Sequence, residues 1–159
     1  MRRRIAVDPS SGPRKRPMNS ITLDVANKIV AGALAKGREL ELKPLTVAVL
    51  DPGGHLVALQ RSDSASNLRP QIAIAKAAGA LSLGTSSRRI GEMAAERPAF
   101  FGSLGGLSQQ GIVPAAGGLL ILGERGELIG AVGVTGDHSD QDEICASAGI
   151  GAAGLKSRD

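Results

Sequence analysis

The chain has 159 residues and a single cysteine, Cys145. That length can bury a core without disulfides or metal, and one cysteine excludes an internal disulfide framework. The net charge of +4 is uneven: residues 1–17 hold six of the nineteen basic side chains and one of the fifteen acidic ones, which leaves thirteen against fourteen from residue 18 onward.

Residues 1–19 are therefore read as a basic, Pro-rich, disordered tail, and residues 20–156 as one domain. No aromatic ring interleaves with the tail's charges, so the stacking half of single-stranded nucleic-acid recognition is missing. No apolar run approaches the ~18 residues of a membrane span. The basic start leads into Ile5-Ala6-Val7 and then Asp8-Pro9, too short for a secretory core of about 7–15 apolar residues. A cytoplasmic protein with no membrane partner is expected.

Thr22 is expected to cap a first helix, with Asp24 in its first turn and Ala26, Ile29, Val30 and Ala33 on one face. Gly37 is expected to end or weaken it. Pro44 then breaks the chain before a buried strand, Leu45 to Leu50. Asp51-Pro52-Gly53-Gly54 is a turn, and His55 to Arg61 returns as the second strand of a hairpin. Asn67 is expected to cap a second helix with Pro70 in its first turn; apolar residues on more than one side of that helix predict burial. Ser86 or Ser87 caps a short third helix that ends before Pro98. Phe100 to Gly111 reads as a Gly-rich loop with one helical turn, and Val113-Pro114 as a brief edge strand.

The last stretch is the most structured. Gly117 to Leu122 and Glu127 to Val134 are two apolar runs joined by Gly123-Glu124-Arg125-Gly126, a second hairpin covered on both faces. A final helix follows. Ser139 with Asp142 three residues later fits a capping box, and Ile144, Ala148, Gly151, Ala152 and Leu155 fall at helical spacing. Cys145 beside them is read as packing. The order helix, hairpin, helices, hairpin, helix defines an α+β fold: an antiparallel sheet of about five strands with helices on both faces. It is not the alternation of a nucleotide-binding parallel sheet.

No motif dictates a reaction. Phosphate loops, dinucleotide fingerprints, C-x-x-C pairs, zinc-protease helices and nucleophile elbows are all missing. His55 and His138 are the only histidines. His138 lies before a helix N-terminus with Asp137, Asp140, Asp142 and Glu143, so His138 and Asp140 are candidate ligands for a transition metal. The same carboxylates suit a helix N-terminus for its dipole alone. Arg61 either clasps a ligand carboxylate or pairs with Asp63. Lys76 interrupts an apolar helix, where it either acts as a base of lowered pKa or snorkels to water.

Several segments resemble one family. Asp51 to Asp63 matches its D-x-G-G-x-L-V-x-x-x-R-x-D pattern, and Ile74-Ala75-Lys76-Ala77-Ala78 its A-x-x-K-A helix. Arg97 to Phe101 and Val113 to Gly118 match the next two segments. Gly130 to Gly136 with Ser139 to Glu143 matches G-A-V/I-G-V-S/T-G followed by D-x-x-D/E. The chain is thereby identified as a member of the GlcG/HbpS family, over Thr22 to Leu155. The resemblance implies a profilin-like or roadblock-like αβα sandwich, homo-oligomers, and haem or a related small molecule as ligand in some members. The candidate ligand-binding residues are Asp51, His55, Arg61, Asp63, Lys76, Thr135 and His138. Haem-binding members use a His near the first helix, and residues 18–44 contain none, so ligation would fall to His55, His138, a Met or Thr135. The leading expectation is an oligomeric small-ligand-binding protein that takes haem or another tetrapyrrole. The alternatives are an enzyme of small-organic-acid metabolism using Arg61, Lys76 and His138, and an oligomeric scaffold.

Overall fold

The computed structural model describes residues 19–159, so the expectation for the basic tail falls outside the described residues. Ten elements follow in order. They are α1 (Leu23–Glu39), β1 (Thr46–Leu50), β2 (Leu56–Arg61), α2 (Arg69–Leu83), α3 (Ser87–Glu96), α4 (Pro98–Leu104), β3 (Gly118–Leu122), β4 (Leu128–Thr135), α5 (Ser139–Ala152) and β5 (Lys156–Arg158). The strands form one sheet in the order β2-β1-β4-β3-β5, antiparallel at every pairing. Both expected hairpins are present, because turn chemistry local to each pair closes them.

Strand alternation sends side chains to two separate apolar layers. Val47 and Val49 of β1 and Val132 and Val134 of β4 join Ile29 and Val30 of α1 and Cys145 and Ile150 of α5. Leu50, Leu120 and Ala131 point the other way, onto Ala77, Ala78 and Ala80 of α2. The sheet is thus covered on both faces, as its continuous apolar strands require.

Glycine decides how close the helices come. A Cβ on Gly133 would collide with the Ala73 carbonyl of α2, and one on Gly118 with the Lys76 carbonyl. These two positions let α2 lie with its backbone against β3 and β4. The small side chains of α2 (Ala73, Ala75, Ala77, Ala78, Ala80) complete that contact. The α1–α5 pair repeats the device, since a Cβ on Gly149 would meet the Ile29 carbonyl at 2.5 Å.

Five local expectations change. The fifth strand is β5, which pairs with β3; Val113 and Pro114 lie outside any strand. Three residues long and carrying Lys156 and Arg158, β5 is a short, charged edge of the kind that discourages further pairing. Gly37 does not end α1, which runs on to Glu39; it is buried because Leu45 packs where its side chain would be. Asn67 does not cap α2, whose N-cap is Leu68 with no side-chain bond; the Asn67 amide oxygen accepts from Arg61 instead. The Phe100 region forms α4 rather than a single turn, started by Pro98. Finally, α5 buries Asp142, Cys145, Ala146, Gly149 and Ile150, while Ile144 is 45% exposed. The expected stripe is rotated because Asp142 is drawn inward by a distant partner.

Thr22 and Ser86 cap α1 and α3 as expected, accepting from the Val25 and Arg89 N–H groups.

Candidate functional site

Helix α2 is apolar nearly all round, and lying flat on the sheet it leaves Lys76 no route to solvent. The Lys76 side chain is 3% exposed. Its Nζ donates to Asp142 Oδ2 at 3.0 Å and to the Val134 carbonyl at 3.1 Å. Asp142 Oδ1 accepts from the Asp137 N–H at 3.1 Å, so both carboxylate oxygens are engaged. The snorkelling expectation for Lys76 is overturned. The capping box is overturned too: the N-cap of α5 is His138, without a side-chain bond, and Asp142 turns into the core.

Burial pushes the Lys76 ammonium down from its usual value and the Asp142 carboxyl up, each opposed by the charge of the other. Gly117 makes room for the pair. Its φ of +125° favours glycine, and a Cβ there would sit 2.9 Å from Lys76 Nζ. Ser87, buried on α3, accepts from the Gly118 N–H at 2.7 Å and ties α3 to the same spot.

A polar row crosses the sheet next to this pair. Strand register sets Arg61 opposite Thr46, and Thr46 opposite Thr135. Directly opposed residues share a sheet face. Arg69, at the start of α2, donates to Thr135 Oγ1 at 2.8 Å. The buried Thr46 hydroxyl has no hydrogen-bond partner among the described residues.

An open cavity of about 310 Å³ lies between the C-terminal end of α1, the α1–β1 loop and the start of the β2–α2 loop. Leu34, Leu42, Pro44 and Leu45 give it an apolar wall; Arg38, Lys43, Ser62 and Asp63 give it a polar rim. The β4–α5 loop braces that rim. Asp137 Oδ2 accepts from the Lys43 N–H at 2.9 Å, and Gly136 packs against Pro44 and Leu45. His138 follows directly on this loop and is exposed.

The structure distributes the expected site residues among these places. Lys76 and Thr135 come together near Arg69, and Arg61 stands in the Thr46–Thr135 row. Asp63 belongs to the cavity and forms no ion pair with Arg61 among the described residues. Asp51 and His55 sit at the opposite end of the β1–β2 hairpin. Asp51 Oδ1 accepts from the Gly53 and His55 N–H groups and meets His55 Nδ1 at 3.1 Å. Burial would raise the Asp51 pKa, but these bonds and the imidazole outweigh it and lower it. Both residues therefore serve the turn. Asp140 is held by Arg88 at 2.6 Å, and Glu143 by the same Arg88 at 2.8 Å. With Asp142 bound to Lys76, the expected cation cluster at His138 and Asp140 is dispersed. Among the described residues no three His, Cys, Asp or Glu side chains gather as a metal site. Sequence reasoning missed Thr46, Arg69, Arg38 and Lys43. Only strand register and loop packing bring them to these places.

One antiparallel sheet between two helical layers, with a buried lysine–carboxylate pair beneath one helix, defines a small α/β/α sandwich domain. The chain belongs to the HbpS-like family: the model described as "Haem degrading protein HbpS-like" matches residues 21–151. It is similar to an uncharacterised 15.0 kDa protein from the dhaT–dhaS intergenic region of Citrobacter freundii, 31% identical over 137 residues, 86% of this chain and 94% of that one. Among solved structures, the PduOC:heme complex is 21% identical with a TM-score of 0.78, covering 88% of this chain and 99% of that one. The Klebsiella pneumoniae protein ORFY is 27% identical with a TM-score of 0.76, covering 94% and 98%.

Proposed function

We propose that this protein binds a tetrapyrrole, haem or a close relative, in the cavity between α1 and the β2–α2 loop. The observation that carries the reading is the lining. Leu34, Leu42, Pro44 and Leu45 offer an apolar wall to a flat macrocycle, and Arg38 and Lys43 stand at its rim where carboxylate arms would lie. Family membership and the heme complex of the PduOC relative support the same ligand class.

The lining fits the macrocycle and its carboxylates. Among the described residues the lining holds no imidazole or sulfur donor for iron; it offers the oxygens of Ser62 and Asp63 and the amine of Lys43. His138 is the imidazole tied to this rim, through the Asp137 bond to Lys43. His55 is occupied with Asp51 at the far turn. Bound haem would supply an iron centre; the protein would supply the apolar wall, the two cations and a brace that keeps the Lys43 rim in place.

Homo-oligomers and a cytoplasmic location belong to the same reading. Phe100 and Leu107 are 43% and 82% exposed around α4, which suits contact with a second copy. No helix among the described residues is long and apolar enough to cross a membrane.

Hemin titration followed in the Soret region, with native mass spectrometry of the product, tests the proposal. A shifted Soret band at fixed stoichiometry is expected, weakened ~10-fold or more in an Arg38→Ala/Lys43→Ala variant, since each charge-assisted contact contributes about 1.5–3 kcal/mol. His138→Ala should alter the band and His55→Ala should leave it. A titration with no band shift and no adduct rejects the reading.

A further inference from the structure

We propose that the opposite face of the sheet, at the same end, holds a second site: a binding place for a small oxyanion, carboxylate or phosphate, formed by Arg69, Thr46, Thr135 and Arg61. The proposal is independent of the tetrapyrrole cavity, because Leu45 faces the α1–α5 layer, whereas Thr46, the next residue along β1, faces α2.

The first observation is the charge. Neither Arg61 nor Arg69 has a carboxylate partner among the described residues. Among the described residues their side-chain bonds go to neutral oxygens, Asn67 Oδ1 at 3.4 Å and Thr135 Oγ1 at 2.8 Å. A guanidinium fork bonded to one hydroxyl keeps most of its donors for a bidentate acceptor.

The second observation is the hydroxyl. Thr46 is fully buried, and its Oγ1 has no partner among the described residues. An orphaned buried hydroxyl costs free energy that an apolar side chain of the same shape would not. It stands in the row between Arg61 and Thr135, on the face that Arg69 covers. An oxyanion drawn in by Arg69 gives this hydroxyl an acceptor.

The third is the helix. The N-terminus of α2 has no side-chain cap and no acidic residue in its first turn. Its dipole therefore adds to the two guanidiniums instead of being spent on a local carboxylate. Arg69 acts as the cover of the site as well as its principal cation: it closes over Thr135 and must shift its fork to admit the anion.

The test is backbone-amide NMR of the whole protein, titrated separately with inorganic phosphate and with acetate. Saturable shifts centred on Thr46, Thr135 and Arg69 are expected with at least one probe, and the tighter probe assigns the class. Arg69→Ala should weaken binding ~10-fold or more. Thr46→Val, which keeps the shape and removes the hydroxyl, should weaken it several-fold while raising Tm by a few degrees. That opposite movement distinguishes a ligand-facing hydroxyl from a structural one. Absence of saturable shifts up to about 20 mM of both probes, a regime weaker than a millimolar site, overturns the proposal. So does binding that is unchanged in both variants.

Discussion

Lys76 Nζ and Asp142 Oδ2 lie 3.0 Å apart although 66 residues separate them in the chain. Both side chains are almost wholly buried, so the pair fastens α2, α5 and the end of β4 to one another. Two charges taken out of water gain little net stability as a pair, but either one left alone is expensive. Lys76→Met is therefore expected to destabilise the fold by about 3–5 kcal/mol, and Lys76→Met/Asp142→Leu to recover most of that loss. Urea midpoints of the two variants check this. A double variant no more stable than the single one would show that the pair has a role packing cannot replace.

Asp137 predicts a pH dependence. The Lys43 and His138 N–H groups donate to its carboxylate and hold its pKa below the ordinary value. A carboxyl whose folded pKa is depressed contributes stability above its unfolded pKa of about 3.9, and that contribution is lost as pH falls through the folded value. Asp137→Asn should therefore lower stability at neutral pH and flatten the profile below about pH 4. Denaturation midpoints between neutral and strongly acidic pH measure the difference. The same variant loosens the Lys43 rim of the cavity.

Cys145 should be inert in the folded protein. It is fully buried in the α1–α5 layer, and burial pushes its thiol up to about 11. Since the thiolate is the reactive form, modification by a disulfide reagent at mildly alkaline pH should be at least ~100-fold slower in the folded protein than in urea. Rapid native reaction would mean that α5 opens readily.

Two glycines should respond in opposite ways. At Gly133 a Cβ would drive into the Ala73 carbonyl. Gly133→Ala must separate α2 from the sheet and is expected to cost about 1–3 kcal/mol or more. At Gly151, inside α5 and exposed, a Cβ meets nothing within 4 Å. Gly151→Ala should stabilise by about 0.5–1 kcal/mol through helix propensity. Thermal melts of the two proteins make the comparison.

Much of the architecture was legible in the chain itself. Asp51-Pro52-Gly53-Gly54 and Gly123-Glu124-Arg125-Gly126 announce their hairpins, because a tight turn is set by the residues within it. Thr22 and Ser86 announce their helices by caps that reach only three residues ahead. The errors share a cause. Asp142 looked like the closing residue of a capping box, Asn67 like an N-cap, and Lys76 like a snorkelling cation. Each side chain instead answers to a partner, or to a packing surface, that the neighbouring residues do not reveal. The phase of α5 failed with them: once Asp142 turns inward to Lys76, Cys145, Ala146, Gly149 and Ile150 follow it, and Ile144 is left outside.

The candidate sites divide in the same way. Sequence alone determined the two hairpins, four of the five helices, the antiparallel sheet covered on both faces and the family, because periodicity, turn chemistry and motif order are written over a few residues at a time. Tertiary structure alone decided that Asp140 belongs to Arg88, and that Thr46, Thr135, Arg61 and Arg69 share one end of the sheet. Those relationships depend on the β2-β1-β4 register and on α2 lying against Gly118 and Gly133. Register and close packing are collective properties of the folded chain: they arise only when strands and helices distant in sequence bury their surfaces against one another.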